Sequence, residues 1–145
     1  MNPVIEPAVP ADYIEIVDVW EASVRATHHF LTEETIQYFK PLILRDYLKT
    51  VQLFCVRNDS KEIVGFLGVA DGNIEMLFLH PSVFGKGIGR MLTLFAIQEL
   101  KATKVDVNEQ NEQAVGFYHR LGFKTKRRSP LDGLGKPFPI LHMEL

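Results

Sequence analysis

The sequence predicts an α+β (mixed α/β) fold in which helices pack on a single layer of sheet. Apolar residues recur at helical spacing through the first third of the chain. Three short runs rich in β-branched and aromatic residues then follow one another, and the chain ends in alternating helical and strand patterns. An antiparallel meander that leads into strand–helix–strand units buries its apolar faces best when helices cover the sheet.

Two amphipathic helices are predicted before the meander. The stripe of the first has helical spacing and consists of Tyr13, Ile16, Val17, Trp20 and Val24. The second is expected to begin near Thr32, where "TEET" supplies a hydroxyl cap and acidic residues for the first turn. Pro41 is predicted to kink or break this helix. Its apolar stripe consists of Ile36, Phe39, Ile43, Leu44 and Tyr47.

The middle of the chain predicts antiparallel hairpins. The candidate strands are "VQLFCVRND" (51–59), "EIVGFLGVA" (62–70) and "NIEMLFLHP" (73–81). The turn sequences "NDSK" and "DGN" separate them. The remaining elements are a helix opened by a glycine-rich turn, a strand "KVDV" (104–107), a helix "NEQAVGFYHRL" (111–121), a strand "FKTKR" (123–127) and a strand in the tail "KPFPILHMEL" (136–145).

Composition indicates one domain, residues 1–145, of ordinary globular type. Hydrophobic residues make up 46% and charged residues 23% of the chain. The net charge of −2 argues against nucleic acid as a partner, and no apolar run approaches the roughly 20 residues that cross a bilayer. The start of the chain does not resemble a secretory signal. A single cysteine, Cys55, fits a reducing compartment, so a cytoplasmic protein is expected.

The stretch "FGKGIGRML" (84–92) places glycines at 85, 87 and 89 directly before a predicted helix. It lacks the Gly-x4-Gly-Lys-Ser/Thr pattern of nucleoside triphosphate loops. Its third glycine falls one residue too early for the dinucleotide pattern, and the turn follows a meander, so a nicotinamide cofactor is excluded. A strand-to-helix turn of this type either binds a phosphate at the helix N-terminus or is simply a tight bend.

Two motifs in order resemble the GNAT family of N-acetyltransferases. The family's Arg/Gln-x-x-Gly-x-Gly/Ala loop corresponds to residues 84–89, after a strand ending in "LFLHP" (77–81). Its second signature is complete as Asn111, Ala114, Phe117, Tyr118, Gly122 and Phe123. The segments "ATHHFLTEE" and "DGLGKPFPILHMEL" are similar to a small bacterial branch of the family. One residue departs from the pattern, because Phe84 stands where the family has Arg or Gln.

The resemblance implies a central, mostly antiparallel mixed sheet of about six to seven strands with helices on both faces. The sheet would be splayed between the strands at 73–79 and 104–107. It also implies acetyl-CoA as acetyl donor, with its pyrophosphate on the glycine turn and its pantetheine arm along residues 77–79. The cofactor-binding residues would be Leu77, Phe78, Leu79, Phe84, Gly85, Lys86, Gly87, Ile88, Gly89, Arg90, Asn111 and Tyr118.

The implied reaction is direct transfer of the acetyl group to a primary amine. Tyr118 is the candidate general acid for the thiolate, although its helical spacing with Ala114, Phe117 and Leu121 also suits a core residue. Glu75, a carboxylate in an apolar strand, is the candidate base, with His28, His29 and His80 as alternatives. The acceptor would lie against His28, His29 and Phe30. Asn111 either caps its helix or contacts the donor.

Two alternatives remain open at this level. One is a catalytically silent acyl-CoA-binding sensor, and the other is an interaction module with an unliganded turn. No metal is expected, since the pair His28–His29 lacks further ligands at metal spacing. The basic run formed by Lys124, Lys126, Arg127 and Arg128 suits a charged strand edge or an acidic partner. A small-molecule or peptide amine is the expected partner, without nucleic acid or membrane, for a monomer or homodimer.

Overall fold

The strands in the middle of the chain form antiparallel hairpins, as the sequence predicted. The computed structural model describes residues 3–145. The strands form one sheet in the order β1-β2-β3-β4-β5-β7-β6, in which β4 and β5 are parallel and all other neighbours antiparallel. The strands are β1 (Ile5–Pro7), β2 (Gln52–Arg57), β3 (Ile63–Ala70), β4 (Asn73–Leu79), β5 (Lys104–Asn108), β6 (Lys124–Ser129) and β7 (Ile140–Glu144). The predicted mixed, mostly antiparallel sheet is therefore confirmed.

Helices cover both faces of this sheet. The helices are α1 (Tyr13–Thr27), α2 (Glu33–Leu42), α3 (Ile88–Glu99) and α4 (Glu112–Arg120). α1 and α2 pack on one face, and α3 and α4 on the other. β3 lies between the two layers, so Phe66 enters the α1/α2 core while Leu67 and Val69 enter the α3/α4 core. A central strand that is buried on both faces has a nearly continuous apolar sequence, and the β3 sequence "IVGFLGVA" is of this type.

The first helix follows its predicted stripe, and the second follows its predicted cap. Ile16, Val17, Trp20 and Val24 are buried. The Thr32 hydroxyl accepts a hydrogen bond from the Thr35 N–H at 3.1 Å, which satisfies one of the free donors at the start of α2. α2 therefore begins where the sequence indicated.

The region after Pro41 departs from a regular α-helix. α2 runs through Pro41 to Leu42, continues as a π-helical turn over Ile43–Tyr47, and ends in a 3-10 turn over Leu48–Thr50. Because a π turn contains more residues than an α turn, the later side chains rotate away from the 3.6-residue period. Leu44, predicted in the apolar stripe, is consequently 37% exposed.

The short strand β1 was not predicted from the sequence. It has three residues, ends in Pro7, and pairs with β2 at the edge of the sheet. So short a segment carries no alternating pattern, and proline is tolerated there because an edge strand leaves one side unpaired.

The sheet opens between β4 and β5, as predicted. These strands pair at Asn73↔Lys104 and Ile74↔Val105 and then diverge. On the other side of β4, Met76 pairs with Gly68 and Ile74 with Val69, so Glu75 is the extra residue of a β-bulge. A bulge bends its strand and increases the local twist. The opening that results is the main cleft of the molecule.

Candidate active site

The cleft between β4 and β5 has a volume of about 400 Å³. Its walls come from β4, the glycine turn, the first turn of α3, β5, α4 and the end of α1. The cleft has two chemically different ends. The loop end is the turn at residues 84–90, and the carboxylate end is formed by Glu75, Asp106 and His28.

The loop end is shaped by glycines that no other residue could replace without strain. Gly85 and Gly87 have φ angles of 75° and 80°, in the left-handed region. A Cβ atom built on either residue would meet nothing within 4 Å, so their outer faces are open. Gly87 is the N-cap of α3, and Ile88 anchors the helix start in the core at 2% exposure. The turn therefore presents bare backbone to the cleft.

The N–H groups at this turn are free. Within residues 3–145, none of the N–H groups of residues 85–90 donates a hydrogen bond to another protein group. The first intrahelical bond of α3 runs from the Met91 N–H to the Gly87 carbonyl at 3.0 Å. Unpaired donors at a helix N-terminus, together with the positive end of the helix dipole, form a site for an anion such as a phosphate.

The backbone of β4 offers an unpaired strand edge to the same cleft. The His80 N–H donates to the Val64 carbonyl at 2.8 Å, so His80 faces β3. Because alternate residues of a strand point their backbone groups in opposite directions, Leu79 and Leu77 face away from β3. That direction is the opening left by β5. The cleft can therefore accept an extended group that pairs with β4 like an additional strand.

Tyr118 belongs to the core and also reaches the cleft. Its side chain is 6% exposed and packs against Phe117 and Phe123. No group in residues 3–145 hydrogen-bonds to its hydroxyl oxygen. That oxygen is nevertheless not fully enclosed by protein, and Tyr118 lines the cleft. The hydroxyl therefore opens on the cleft. Burial raises the pKa of Tyr118 further above its ordinary value, so the phenol keeps its proton at neutral pH.

The other residues predicted for the loop end are placed in different ways. Asn111 caps α4, where its Oδ1 accepts from the Ala114 N–H at 3.2 Å, and it also lines the cleft. Arg90 lines the cleft and Lys86 lies outside the lining. Phe84 is 39% exposed at the entrance. Both readings of Asn111 are therefore compatible with its position.

Two carboxylates lie at the other end. Glu75, the bulge residue, and Asp106 of β5 both line the cleft. Burial raises the pKa of Glu75, the nearby charges of Asp106 and Asp71 raise it further, and the Asn73 amide opposes the rise. The Asn73 amide also donates to Asp106 Oδ2 at 3.3 Å. This end of the cleft is therefore negatively charged and suits a cation.

His28 forms an aromatic wall of the carboxylate end. Its ring lies 6.3 Å from Phe78 and 5.3 Å from Phe30, centroid to centroid. The Thr27 hydroxyl donates to the Ser23 carbonyl, so His28 Nδ1 donates to Thr27 Oγ1 and Nε2 is left as an acceptor. Burial, with a smaller contribution from His29, lowers the pKa of His28 to about 4. His28 is consequently neutral at physiological pH.

The remaining histidines and Phe30 lie outside the cleft lining. His29 is exposed and borders a separate depression beside Arg25 and Glu33. Phe30 packs between His28 and Phe138 of the β6–β7 loop, at 5.8 Å from the latter. His80 caps a 3-10 turn through its Nδ1, which accepts from the Ser82 N–H. The contact of Phe30 with Phe138 joins the α1–α2 connection to the β6–β7 loop.

Several other predicted features lie away from the cleft. Cys55 is fully buried, and burial raises the pKa of its thiol to about 11, which suits a small core residue rather than a nucleophile. The basic run forms the exposed edge strand β6, where Arg128 pairs with Glu109 at 2.6 Å. Within the described range 3–145, no cluster of three or more potential ligands could hold a metal, and no helix is long and apolar enough to cross a membrane.

Asp106 is the cleft residue that sequence reasoning missed. The "KVDV" strand alternates, with Val105 and Val107 buried and Asp106 on the opposite face. The same alternation occurs in "ILHMEL", where His142 is the neighbour of Asp106 in register. A polar residue in the middle of a short apolar strand is the signal that indicated Glu75. The same signal is present at Asp106 and at His142.

Known proteins resemble this chain in sequence and in fold. Residues 22–144 match the acetyltransferase (GNAT) domain. The chain is 41% identical, over 129 residues, to the peptidyl-lysine N-acetyltransferase YjaB of Escherichia coli, covering 89% of this chain and 87% of that protein. The solution structure of apo-form YjaB from Escherichia coli superimposes with a TM-score of 0.88 at 37% identity, covering 99% of this chain and 97% of that chain.

A second solved structure is more distant in sequence. The PaiA N-acetyltransferase of Thermoplasma acidophilum, crystallised in complex with coenzyme A, has a TM-score of 0.75 at 22% identity and covers 100% of both chains. At this identity the likeness supports the fold.

A splayed mixed sheet with a bare glycine turn at the opening defines an acyltransferase of the N-acetyltransferase class. The chain belongs to the acetyltransferase (GNAT) domain family, in which its similarity to YjaB places it near the YjaB branch. The resemblance read from the two sequence motifs is confirmed.

Proposed function

We propose that this enzyme transfers the acetyl group of acetyl-CoA directly to the side-chain amine of a lysine in a peptide or protein. The observation that carries the proposal is the polarity of the cleft. Unpaired N–H donors form its loop end, and two carboxylates lie at the other end. An anionic donor and a cationic acceptor are expected to enter such a cleft from opposite ends.

The loop end fits the donor. Open space at Gly85 and Gly87 allows a pyrophosphate to approach the free N–H groups of residues 85–90. The outward-facing edge of Leu77–Leu79 would hold the pantetheine arm by main-chain pairing. Coenzyme A is bound in the crystal structure of the PaiA enzyme, whose fold this chain shares.

The carboxylate end fits an ammonium group on an apolar stem. Glu75 and Asp106 supply the negative charge, while His28 and Phe78 supply aromatic surface for the methylene groups of a lysine. YjaB is named a peptidyl-lysine N-acetyltransferase, and it is 41% identical to this chain. The charge of this end of the cleft and the similarity to YjaB both favour a lysine side chain, which is a cation, over an uncharged amine as the acceptor.

Each step of the transfer has a candidate group. The thioester of acetyl-CoA supplies the activated acetyl group. Glu75, with its raised pKa, would remove the proton from the acceptor ammonium, directly or through a water. The outward-facing Leu79 N–H would stabilise the developing negative charge on oxygen. Tyr118 would donate its proton to the departing sulfur, and its raised pKa keeps that proton available. The products are an acetylated amine, CoA and one released proton.

The test is a comparison of blocked peptides. Acetyl-CoA binding is measured by isothermal titration, and transfer by mass spectrometry, on an N-terminally blocked peptide with one lysine. The matched peptide has arginine in place of that lysine, and a third peptide has a free N-terminus and no lysine. We expect acetylation of the lysine peptide alone.

Each other result has a defined meaning. Binding of acetyl-CoA without transfer to any amine would favour the silent sensor. No binding at millimolar acetyl-CoA would favour the interaction module. Transfer to the free N-terminus alone would replace lysine by a different acceptor. The cytoplasmic location, the monomeric or homodimeric state, and the absence of a nucleic-acid or membrane partner stay predictions.

A further inference from the structure

A chain of hydrogen bonds links the carboxylate end of the cleft to the last strands of the sheet. The Ser129 hydroxyl lies 2.7 Å from His142 Nε2, and His142 Nδ1 lies 2.6 Å from Asp106 Oδ1. The second carboxylate oxygen of Asp106 accepts from the Asn73 amide at 3.3 Å. Side chains on four different strands are therefore linked through the Asp106 carboxylate, which His142 and Asn73 contact directly and Ser129 contacts through His142.

This chain has the order of a Ser–His–Asp triad but not its orientation. In such a triad the serine reaches the substrate. Here Asp106 lines the cleft, whereas Ser129 and His142 lie outside the lining. The group presented to a ligand is therefore the carboxylate, and the imidazole is the group behind it.

The position of Asp106 depends on these neighbours. Its side chain is 39% exposed, and a free aspartate so exposed would sample several rotamers. The bond to His142, whose side chain is 23% exposed, ties one oxygen to the strand β7. A charged hydrogen bond of 2.6 Å is short and strongly directional. Asp106 is consequently held facing the cleft.

We propose that His142 is a positioning residue that holds the Asp106 carboxylate toward the cleft for a cationic acceptor. The inference rests on the proposed function, because it assumes that the acceptor enters as an ammonium ion. Nothing in the sequence motifs of the family points to His142. It follows from the meeting of β5, β6 and β7 beside the carboxylate end.

The experiment measures acceptor binding without reaction. The blocked lysine peptide is titrated calorimetrically at pH 8 into the enzyme saturated with CoA, which carries no acetyl group to transfer. His142→Asn keeps an amide N–H near the position of the Nδ1 atom that bonds Asp106, so its dissociation constant should stay within about twofold of the wild-type value.

Two further variants test the positioning role. His142→Ala should weaken peptide binding about tenfold at pH 8 because Asp106 loses its partner. Asp106→Asn should weaken it by a similar amount, and the double variant should be no worse than Asp106→Asn alone, since both changes act through one carboxylate. His119→Asn is the matched control, with an exposed ring 3.5 Å from the Thr125 hydroxyl and outside the cleft lining. CoA affinity should be unchanged throughout, which verifies the fold.

The outcomes separate this inference from the proposed function. If wild-type enzyme with CoA binds no lysine peptide, the assignment of a lysine acceptor fails. If it binds the peptide but His142→Ala binds it as tightly as the wild type, or His142→Asn restores none of the loss, the role of His142 is wrong. Fully additive effects of His142→Ala and Asp106→Asn would also overturn it. Should His142→Ala fail to fold, His142→Asn and Asp106→Asn still decide the question.

Discussion

The two ends of the cleft are built from different parts of the chain. The loop end, residues 84–90, consists of backbone groups in one continuous segment, with left-handed glycines and free N–H donors. The carboxylate end consists of side chains from α1, β4 and β5, supported by side chains from β6 and β7. A backbone site is encoded by a local motif, whereas a side-chain site requires the whole sheet to form first. We therefore expect changes at the two ends to separate donor affinity from acceptor affinity and turnover.

The largest effect is expected at the loop end, from Gly87→Trp. The new side chain would occupy the open face of the turn and would have to adopt a φ of 80°. We expect the affinity for acetyl-CoA to fall at least about 100-fold, because the indole would occupy the space through which a pyrophosphate reaches the free N–H groups. Isothermal titration measures it.

Gly135→Trp is the control for this change. Gly135 has a φ of 76°, and a Cβ there would also meet nothing within 4 Å, but it lies outside the cleft lining. Its acetyl-CoA affinity should stay at the wild-type value. Equal losses in both variants would mean that strain in the fold, and not a blocked pyrophosphate site, explains the result.

The next largest effect is expected in the wall of the cleft, from Tyr118→Phe. The phenol has no hydrogen-bond partner within residues 3–145, so its removal should leave stability and acetyl-CoA affinity unchanged. Loss of the proton donor should lower kcat about 100-fold, the low end of the range for general acid catalysis. Steady-state kinetics and thermal melting check both statements. Tyr13→Phe, on α1 and outside the cleft lining, is the control. An unchanged kcat would make Tyr118 a core residue alone.

At the carboxylate end, Glu75→Gln should change the pH dependence of turnover. Burial raises the pKa of Glu75, so its base form is lost as the pH falls through a value above the ordinary 4.5. Wild-type kcat should therefore show an acidic limb that the variant lacks. At neutral pH the variant should lose about tenfold or more in kcat, with donor affinity unaffected.

Glu99→Gln is the charge-matched control for Glu75→Gln. Glu99 is exposed at the end of α3 and lies outside the cleft lining, so its replacement removes one negative charge without touching the site. The pH profile of this variant should follow that of the wild type. If Glu75→Gln keeps the acidic limb, another group is the base.

The smallest effect is expected from Phe84→Arg. Phe84 is 39% exposed beside the free N–H groups, so an arginine there could approach an anion without disturbing the core. We expect acetyl-CoA affinity to rise about threefold, in line with the modest value of an exposed ion pair. The gain should disappear at high salt. Phe84→Gln, which adds polarity without charge, should show no salt-sensitive gain.

Local signals in the sequence predict some elements of this fold, whereas others form only through contacts between distant segments. The order of the main helices and strands, the hairpins and the bare turn at Gly85 and Gly87 were predictable, because periodicity, caps and turn chemistry act within a few residues. The three-residue strand β1 and the π turn after Pro41 were not, since each depends on its neighbours in the folded sheet and core. The bulge at Glu75 depends on the pairing of β4 with β3, and the register that brings His142 to Asp106 joins β5 and β7, which are distant along the chain. Sequence alone therefore specified the loop end, and tertiary pairing assembled the carboxylate end.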